Sequence, residues 1–574
     1  MTIQEAISEQ RSATLDAVLA DLGRGEAVWA ATPVAARGEL LARVHELTGR
    51  HAQAWVDAAA VIKGLPADSP LLGEEWLSGP YGVLNGVAVL IESLTALQGG
   101  GSPVDGYAFG RAPGHRVTVK TLPHSLFDQI LLSGFSAEVW LSPGVDEATV
   151  RNRAGLAERE PSATHGIAVV LGAGNVSSIP PLDVLYELYA NNRVVVLKLN
   201  PITDPLFAVL TSVFEPLIEH GVVRIVTGGA DVGEYLVHHP QVAHVHMTGS
   251  SVTHDAIVFG TGPDGARRKA ENRPRLTKQI TSELGGVSPT IVLPGAWSKA
   301  DLRFQAEHLV TQRLHNGGYN CIAGQVAVLS SDWAQKDEFI AEVRAALNRA
   351  PGRPAYYPGS DQRVASALQA YPAAERLGPD GGRVLIRPST AEDREFLLRT
   401  EFFAPVLGII ELPGTGQAFL DAAVKTANDD FVGTLGINLI ARPSTLKELG
   451  AGFEEALARL RYGCIAVNAW TAVGFLTATA SWGAFPGHTI EDVQSGIGVV
   501  HNALLLENPE RTVVRGPFRP FPRSLLNGEL SILPRPPWFV TNRTGTTTGR
   551  ALTEFATKPG WARLPKILVS ALRG

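Results

Sequence analysis

Two cysteines occur in the 574 residues, and their surroundings differ. Cys321 lies in HNGGYNCIAGQVAVL, a Gly- and Asn-rich loop between a helical stretch, DLRFQAEHLVTQRL, and an apolar strand, QVAVLSS. A thiol among loop residues and free backbone amides suits a nucleophile, which must be reachable as thiolate. A structural cysteine more often sits inside an apolar strand. Cys464, in RYGCIAVNAW, does so and is read as core. Upstream, Glu283 in TSELGGVSPTIVLP precedes two glycines and an apolar run. A carboxylate tucked against small residues beside a buried strand is a candidate base with a raised pKa, although a lone Glu in such a place is usually structural.

Three strand-to-helix turns could hold an anionic ligand. VVLGAGNVSSIPP sets Gly172 and Gly174 just after a strand, where glycines let the backbone approach a pyrophosphate. Ser177 stands where that fingerprint has its third glycine, so a tight turn with no ligand explains the segment equally well. Lys198 ends the apolar strand RVVVLKLNP, and a lysine at a strand's carboxyl end points at the crevice where α/β sheets bind ligands. A snorkelling edge lysine is the alternative. HMTGSS repeats the arrangement, with Gly249 and Ser250 offering backbone N–H groups to a phosphate.

The elements that must position these groups follow from periodicity. From residue 165, apolar strands alternate with helical segments, which predicts βαβ units and a parallel sheet, and a second alternating stretch runs from about 287 to 470. The first 100 or so residues read as helical, SATLDAVLADLGRG having a Ser start and a Gly stop. Residues 116–143 read as extended. A chain of this length is too long for one compact core.

Composition narrows the class. With 50 Lys and Arg against 56 Asp and Glu the net charge is −6, which gives no case for a nucleic-acid binder. Two cysteines leave no disulfide framework. The N-terminus does not read as a secretory signal, and no apolar stretch approaches the roughly 18–20 residues that cross a bilayer. A cytoplasmic location is expected. Residues 511–574 carry eleven Lys or Arg and two Glu, a local +9 that leaves −15 for the remainder. Rich in Pro, Gly and Thr, this stretch predicts an irregular surface tail. Its bland reading is a solvated face. The less favoured one is a patch for an anionic membrane surface, using Arg535, Arg543, Arg550, Lys558, Arg563 and Lys566 with Trp538 and Trp561 as anchors.

Taken together the motifs resemble the aldehyde dehydrogenase superfamily over roughly residues 160–500. SELGG and GGYNCIAGQ look like its catalytic Glu and Cys motifs. EFFAPVLGI, carrying Glu401, Phe403 and Pro405, looks like its later coenzyme-contact motif, and YGCIAVNAW like the strand before its substrate loop. Asn175 and Lys198 are spaced as in that family. The resemblance implies an α/β fold with a Rossmann-like coenzyme-binding domain (161–286), an α/β catalytic domain (287–480) and an oligomerisation segment (116–160). These would be flanked by an N-terminal helical region (1–115) and a C-terminal return segment with the basic tail (481–574). It also implies a homodimer or homotetramer.

The chemistry it implies is attack by the Cys321 thiolate on an aldehyde. The oxyanion would be held by Asn175 and the Cys321 backbone N–H, a donor type worth roughly 2.7–4 kcal/mol in transition-state stabilisation. Hydride would pass to NAD or NADP, and water activated by Glu283 would hydrolyse the thioester. Lys198 would bind the adenosine ribose, Gly249 and Ser250 the pyrophosphate, and Glu401 the nicotinamide ribose, with Phe403 packing nearby. No metal is assigned. Trp470, Phe475 and Trp482 suggest an apolar or aromatic mouth.

Departures bear on the cofactor and on the direction of reaction. Pro201 stands where the family often has a Glu for the ribose 2′-OH, and His254 where a glycine is expected. A basic insert adds Arg267, Arg268 and Lys269, so NADP is expected to be tolerated. The turn GAGNVSSIP also resembles acyl-CoA and fatty-acid reductases, which keeps a coenzyme A-dependent enzyme as the alternative. A silent scaffold is disfavoured, because such a protein has no physical need for the Cys321 and Glu283 pair.

Overall fold

The computed structural model describes residues 7–163, 166–390 and 392–574. Two sheets carry the site. The first has six strands in the order Gly496–Ile497, Gln279–Leu284, Val242–Gly249, Ile167–Leu171, Val194–Lys198, Val223–Val226. All pair in parallel except the first, which returns antiparallel along Gln279–Leu284. IAVVL and VVVLK are apolar throughout because helices cover both faces of such a sheet. From Ile167–Leu171 the chain winds outward through two strands, then crosses back to Val242–Gly249 on the other side. Strand order therefore reverses beside Ile167–Leu171, and the crevice at the carboxyl ends there is the ligand position of a doubly wound sheet.

The N-terminal helices Glu9–Ala31 and Val34–Lys63 are not a separate body. Leu19, Leu22, Trp29, Leu41 and Trp55 share one core with this sheet. Arg37, fully buried, donates to Glu158 at 2.8 Å, to the Thr32 and Trp29 carbonyls and to Asn192, and lies over the Trp29 ring. Burial pushes the Glu158 carboxyl up to about 7 despite the guanidinium beside it.

The second sheet has eleven strands, with Ser288–Val292, Gly324–Ser330 and Val406–Leu412 among its parallel centre and Gly436–Ile440 and Cys464–Val467 continuing it. The extended segment adds three antiparallel strands at one edge, Ala108–Ala112, Arg116–Leu122 and Ser136–Leu141, beginning earlier than residue 116. This is the α/β architecture expected from the alternation of strands and helices.

Two expectations are corrected. The basic C-terminal stretch is not an irregular tail. Pro509–Arg515 is an internal strand between Ser136–Leu141 and Cys464–Val467, and Gly545–Thr557 and Leu564–Ala571 are helices. Arg519 and Arg523 pair with Asp301, Arg535 with Glu307, and Arg550 and Lys566 with Glu554. Trp538 is buried and Trp561 exposed. Arg563 donates to the Glu554 carbonyl, so intramolecular partners hold four of the six cations assigned to a membrane patch. Second, one helix, Leu72–Gln98, does reach spanning length and composition, with mean hydropathy 1.3 over its most apolar stretch. Half of that stretch is buried, in contact with Val34–Lys63 and Gly545–Thr557. Its apolarity serves internal packing.

Breaking a buried ion pair leaves an uncompensated charge, which costs about 3–5 kcal/mol. Arg37→Ala is therefore expected to lower chemical-denaturation stability by about that amount. A loss below about 1 kcal/mol, the range of exposed pairs, contradicts the assigned geometry.

Candidate active site

A groove of about 540 Å³ opens at the strand-order reversal. Asn175, Lys198, Gly249, Ser250, Glu283, Cys321, Glu401 and Phe403 all line it. Eight residues chosen across more than two hundred positions of sequence thus converge on one cleft.

Cys321 reaches the cleft because its loop coils tightly after the helix Lys299–Leu314. Asn316, Gly317 and Gly318 all adopt left-handed backbone conformations. At Gly318 (φ 83°) a Cβ would lie 2.9 Å from the Ala404 carbonyl oxygen, so the cysteine loop rests directly on the EFFAP segment. Arg313, fully buried, donates to the Gly318 carbonyl at 2.6 Å. The Asn316 N–H donates to Glu74 at 2.9 Å, and its side chain donates to the carbonyls of Asn175 and Tyr319. Tyr356 also donates to the Asn175 carbonyl, at 3.2 Å. The Asn175 amide gives one N–H to the Tyr319 carbonyl at 2.8 Å and keeps a second for a ligand in the groove.

Glu283 ends the strand Gln279–Leu284, buried at the junction of the two sheets. Its Oε1 accepts from the Trp482 indole at 2.9 Å and from the Cys321 thiol at 3.5 Å. Burial raises the Glu283 carboxyl, assisted by Asp183, against the pull of His501 and the Trp482 bond. Burial also pushes the Cys321 thiol well up, with Glu283 and Glu401 adding to it. Cys321 is half-buried and reachable from the groove, as the sequence suggests, but its surroundings favour the thiol over the thiolate. The cause is enclosure between two sheets beside two carboxylates. Cys464, by contrast, is fully buried in an apolar cluster, as expected.

The two glycines after Glu283 have a steric cause. A Cβ at Gly285 would come within 1.9 Å of Glu401 Oε1. Burial lifts Glu401 to about 7, with Arg313 opposing, and its Oε1 is buried with no protein hydrogen-bond partner among the described residues. Phe403, at φ 44°, turns its ring against Tyr357, and Arg363 donates to its carbonyl.

Behind the groove, Cys321 and Glu283 also line a second cavity, of about 50 Å³, walled by Ile179, Trp470, Val473, Phe475, Trp482 and other apolar side chains. The reacting pair thus stands between a polar cleft and an apolar one.

Comparison with known proteins accords with this geometry. Residues 148–361, which include Asn175, Lys198, Glu283 and Cys321, match the aldehyde dehydrogenase family. That stretch of the chain is similar to the aldehyde dehydrogenase family. It is 27% identical over 284 residues to 1-pyrroline-5-carboxylate dehydrogenase 2 of Bacillus subtilis, covering 45% of this chain and 52% of that protein. It is 30% identical over 236 residues to geranial dehydrogenase of Castellaniella defragrans, covering 38% and 44%. The chain thus aligns with about half the length of these curated relatives. Among solved structures, aldehyde dehydrogenase C of Pseudomonas syringae, in complex with NAD+ and octanal, superposes with a TM-score of 0.58 at 19% identity over 89% of this chain and 90% of that one.

The cofactor-side expectations need adjustment. Arg267, Arg268 and Lys269 do not line the groove. They ride on the helix Gly262–Ala270, where Arg267 pairs with Asp264 and Lys269 with Asp255. Besides Lys198, Arg275 and Arg363 line the groove, Arg275 paired with Glu234 at 2.8 Å and Arg363 donating to the Phe403 carbonyl. Pro201 opens a short turn capped by Asn200, and Asn200 rather than Pro201 faces the groove. Ser250 caps the helix Ser251–Val258, and His254 is buried one turn in. Ser177, at the missing third glycine, accepts from Trp55, which ties the turn to the N-terminal helices.

Sequence reasoning missed a buried polar seam running from Glu283 into the sheet. Thr248 stands opposite Glu283, and His246 opposite Thr281. The Thr281 hydroxyl bridges His244 and His246, at 2.9 Å each. The helix Ile179–Asn191 lays Asp183 and Glu187 over these side chains. Asp183 meets His501 at 3.0 Å, Thr248 at 3.2 Å and His246 at 3.5 Å, and Glu187 pairs with Arg193. Burial alone would raise Asp183, but His246 and His501 hold it below the usual carboxylate range, and Asp183 in turn holds His246 up against burial. The signal was present in HVHMT, polar at alternate positions of an apolar strand, and in the four-residue spacing of Asp183 and Glu187.

The raised Glu283 pKa has a stability consequence. A carboxyl whose folded pKa exceeds its unfolded value, about 4.3, costs stability as the pH rises from that value through the folded pKa. Glu283→Gln is therefore expected to melt above the wild type at pH 8, with the gap closing toward pH 4. A gap that is independent of pH would show that this carboxyl is not perturbed.

Proposed function

We propose that this protein oxidises aldehydes to carboxylic acids with NAD(P), through a thioester on Cys321 that Glu283-activated water hydrolyses. The observation that carries the reading is the thiol-to-carboxylate contact at the meeting of the polar groove and the apolar cavity. The Cys321 proton passes to Glu283 as sulfur adds to the carbonyl carbon, and Asn175 offers its second N–H to the oxyanion. The aldehyde C–H bond breaks with its electron pair, leaving the thioester. Glu283 sheds that proton to solvent and, ionised again, takes one from a water whose oxygen adds to the thioester carbonyl carbon. The C–S bond then breaks, the acid departs, and the proton on Glu283 returns to sulfur.

The groove suits a dinucleotide. Lys198 lies at a strand terminus with the glycines of two turns beside it, and the unpartnered Glu401 Oε1 offers an acceptor for a ribose hydroxyl. When bound, NAD(P)+ supplies the hydride acceptor and a positive charge near the thiol. We further infer a homodimer or homotetramer, since among the described residues nothing pairs with the outer edge of Ala108–Ala112, and a reducing, cytoplasmic setting for the two free thiols.

Glu283→Gln should slow steady turnover by about 10²–10⁴-fold, the worth of a general base, with acyl-enzyme accumulating on Cys321. In the wild type the acid limb of turnover should fall above the ordinary carboxylate range, because the base must be ionised and its pKa is raised. Wild-type enzyme that makes no free acid, but turns over once coenzyme A is added, points instead to an acylating enzyme.

The cofactor choice rests on Arg275 and the missing carboxylate at 201. NADP is expected to be used, and Arg275→Ala should raise KM for NADP about tenfold or more while affecting NAD less, in keeping with a lost charge-assisted bond. Equal effects on both cofactors would remove Arg275 from the 2′-phosphate site.

A further inference from the structure

The cavity behind Cys321 is small, about 50 Å³. Four of its lining side chains, Leu77, Val473, Leu476 and Trp538, also line an adjoining chamber of about 320 Å³. That volume lies at the lower end of the range for sites that hold small organic ligands. The chamber's surface is mostly apolar, with Leu131, Leu552, Phe555 and Ile567 among its walls and Asn85, Thr477 and Thr548 as polar interruptions. Glu92 and His124, both exposed, mark a polar outer rim. Its roof is the helix pair Gly545–Thr557 and Leu564–Ala571, which lies outside the segment that matches the family. Among the described residues no Lys or Arg lines the chamber to recognise an anionic substrate group, and the carboxylates Glu92 and Asp128 line it as well. The walls select for hydrocarbon.

We infer that the substrates are long-chain apolar aldehydes, whose carbonyl sits at Cys321 while the hydrocarbon passes Trp538 and Leu476 into the chamber beneath the C-terminal helices. This rests on the reading of the protein as an aldehyde oxidiser. A short aldehyde fills only the inner cavity. Once the chain reaches the chamber, each further methylene leaves water for an apolar wall, worth about fourfold in kcat/KM, until the chamber is full.

The test is kcat/KM with NAD or NADP for straight-chain aldehydes from propanal to tetradecanal. It is run on the full-length wild type and on Ala88→Trp and Ala478→Trp. Both alanines line the chamber and neither lines the cavity at Cys321. The wild type should show little gain among the shortest aldehydes, then a rise over several methylenes, then a plateau. Each filling substitution should lower the ratio of dodecanal to propanal kcat/KM by at least about tenfold. A flat or falling wild-type profile overturns the inference while the enzyme still oxidises short aldehydes, so the proposed activity survives it. Turnover of no aldehyde at all overturns both. The wild-type profile needs no substitution and is decisive if either variant fails to fold.

Discussion

A buried carboxylate against a half-buried thiol, where two sheets meet, sets the terms for the rest of this molecule. Glu283 comes from the end of a strand in the six-stranded sheet, and Cys321 from the loop that enters a strand of the eleven-stranded one. Neither group is stable as an ion in that place without help, since burial penalises both charged forms. The surroundings answer this. Trp482 supplies a hydrogen bond to the carboxylate, and His501 supplies positive potential behind it. The return strand Gly496–Ile497 pins Glu283 from the side.

Holding the two groups in register requires that the sheets do not slide, and several buried polar ties cross between them. Glu74, from the N-terminal helical region, accepts from the backbone of the cysteine loop and pairs with Arg353 at 2.8 Å. Asn316 and Tyr356 donate to the Asn175 carbonyl, joining the first βα turn to the same loop. His501 reaches Asp183 on the helix over the six-stranded sheet, from a strand whose partner Trp482 touches Glu283. Such bonds add modest net stability but are costly to leave half made, so they fix one arrangement. The N-terminal helices and the C-terminal return are thus parts of the site's support.

Local pattern made the groove legible in the sequence. Period-two and apolar runs identify the parallel strands, and the residues at their carboxyl ends must meet at the crevice. That is why Lys198, Gly249 and Glu283 could be chosen from sequence, while Asn175 and Glu401 came through resemblance. Long-range contacts left no such local mark. The partner of Glu283 is Trp482, 199 positions away, and the partner of Asp183 is His501, 318 away. The basic insert looked like a cofactor contact because charge is visible in sequence and direction is not. Asp264 and Asp255 absorb two of its three cations. The C-terminal stretch looked irregular because Pro and Gly mark its turns, yet Arg511 within it is buried in the sheet core beside Glu510. The long apolar helix over Leu72–Gln98 was overlooked because Glu74, Glu75 and Pro80 interrupt its first turns.

The central claim is that the Cys321 thiol rests protonated against the Glu283 carboxylate. The pH dependence of Cys321 alkylation by iodoacetamide, followed by peptide mass spectrometry on the cofactor-free protein, tests it directly. The account predicts a midpoint above the ordinary thiol value of about 8.5, moving down in Glu283→Gln once the neighbouring negative charge is gone. A wild-type midpoint below that value, or one that the substitution leaves in place, would contradict it.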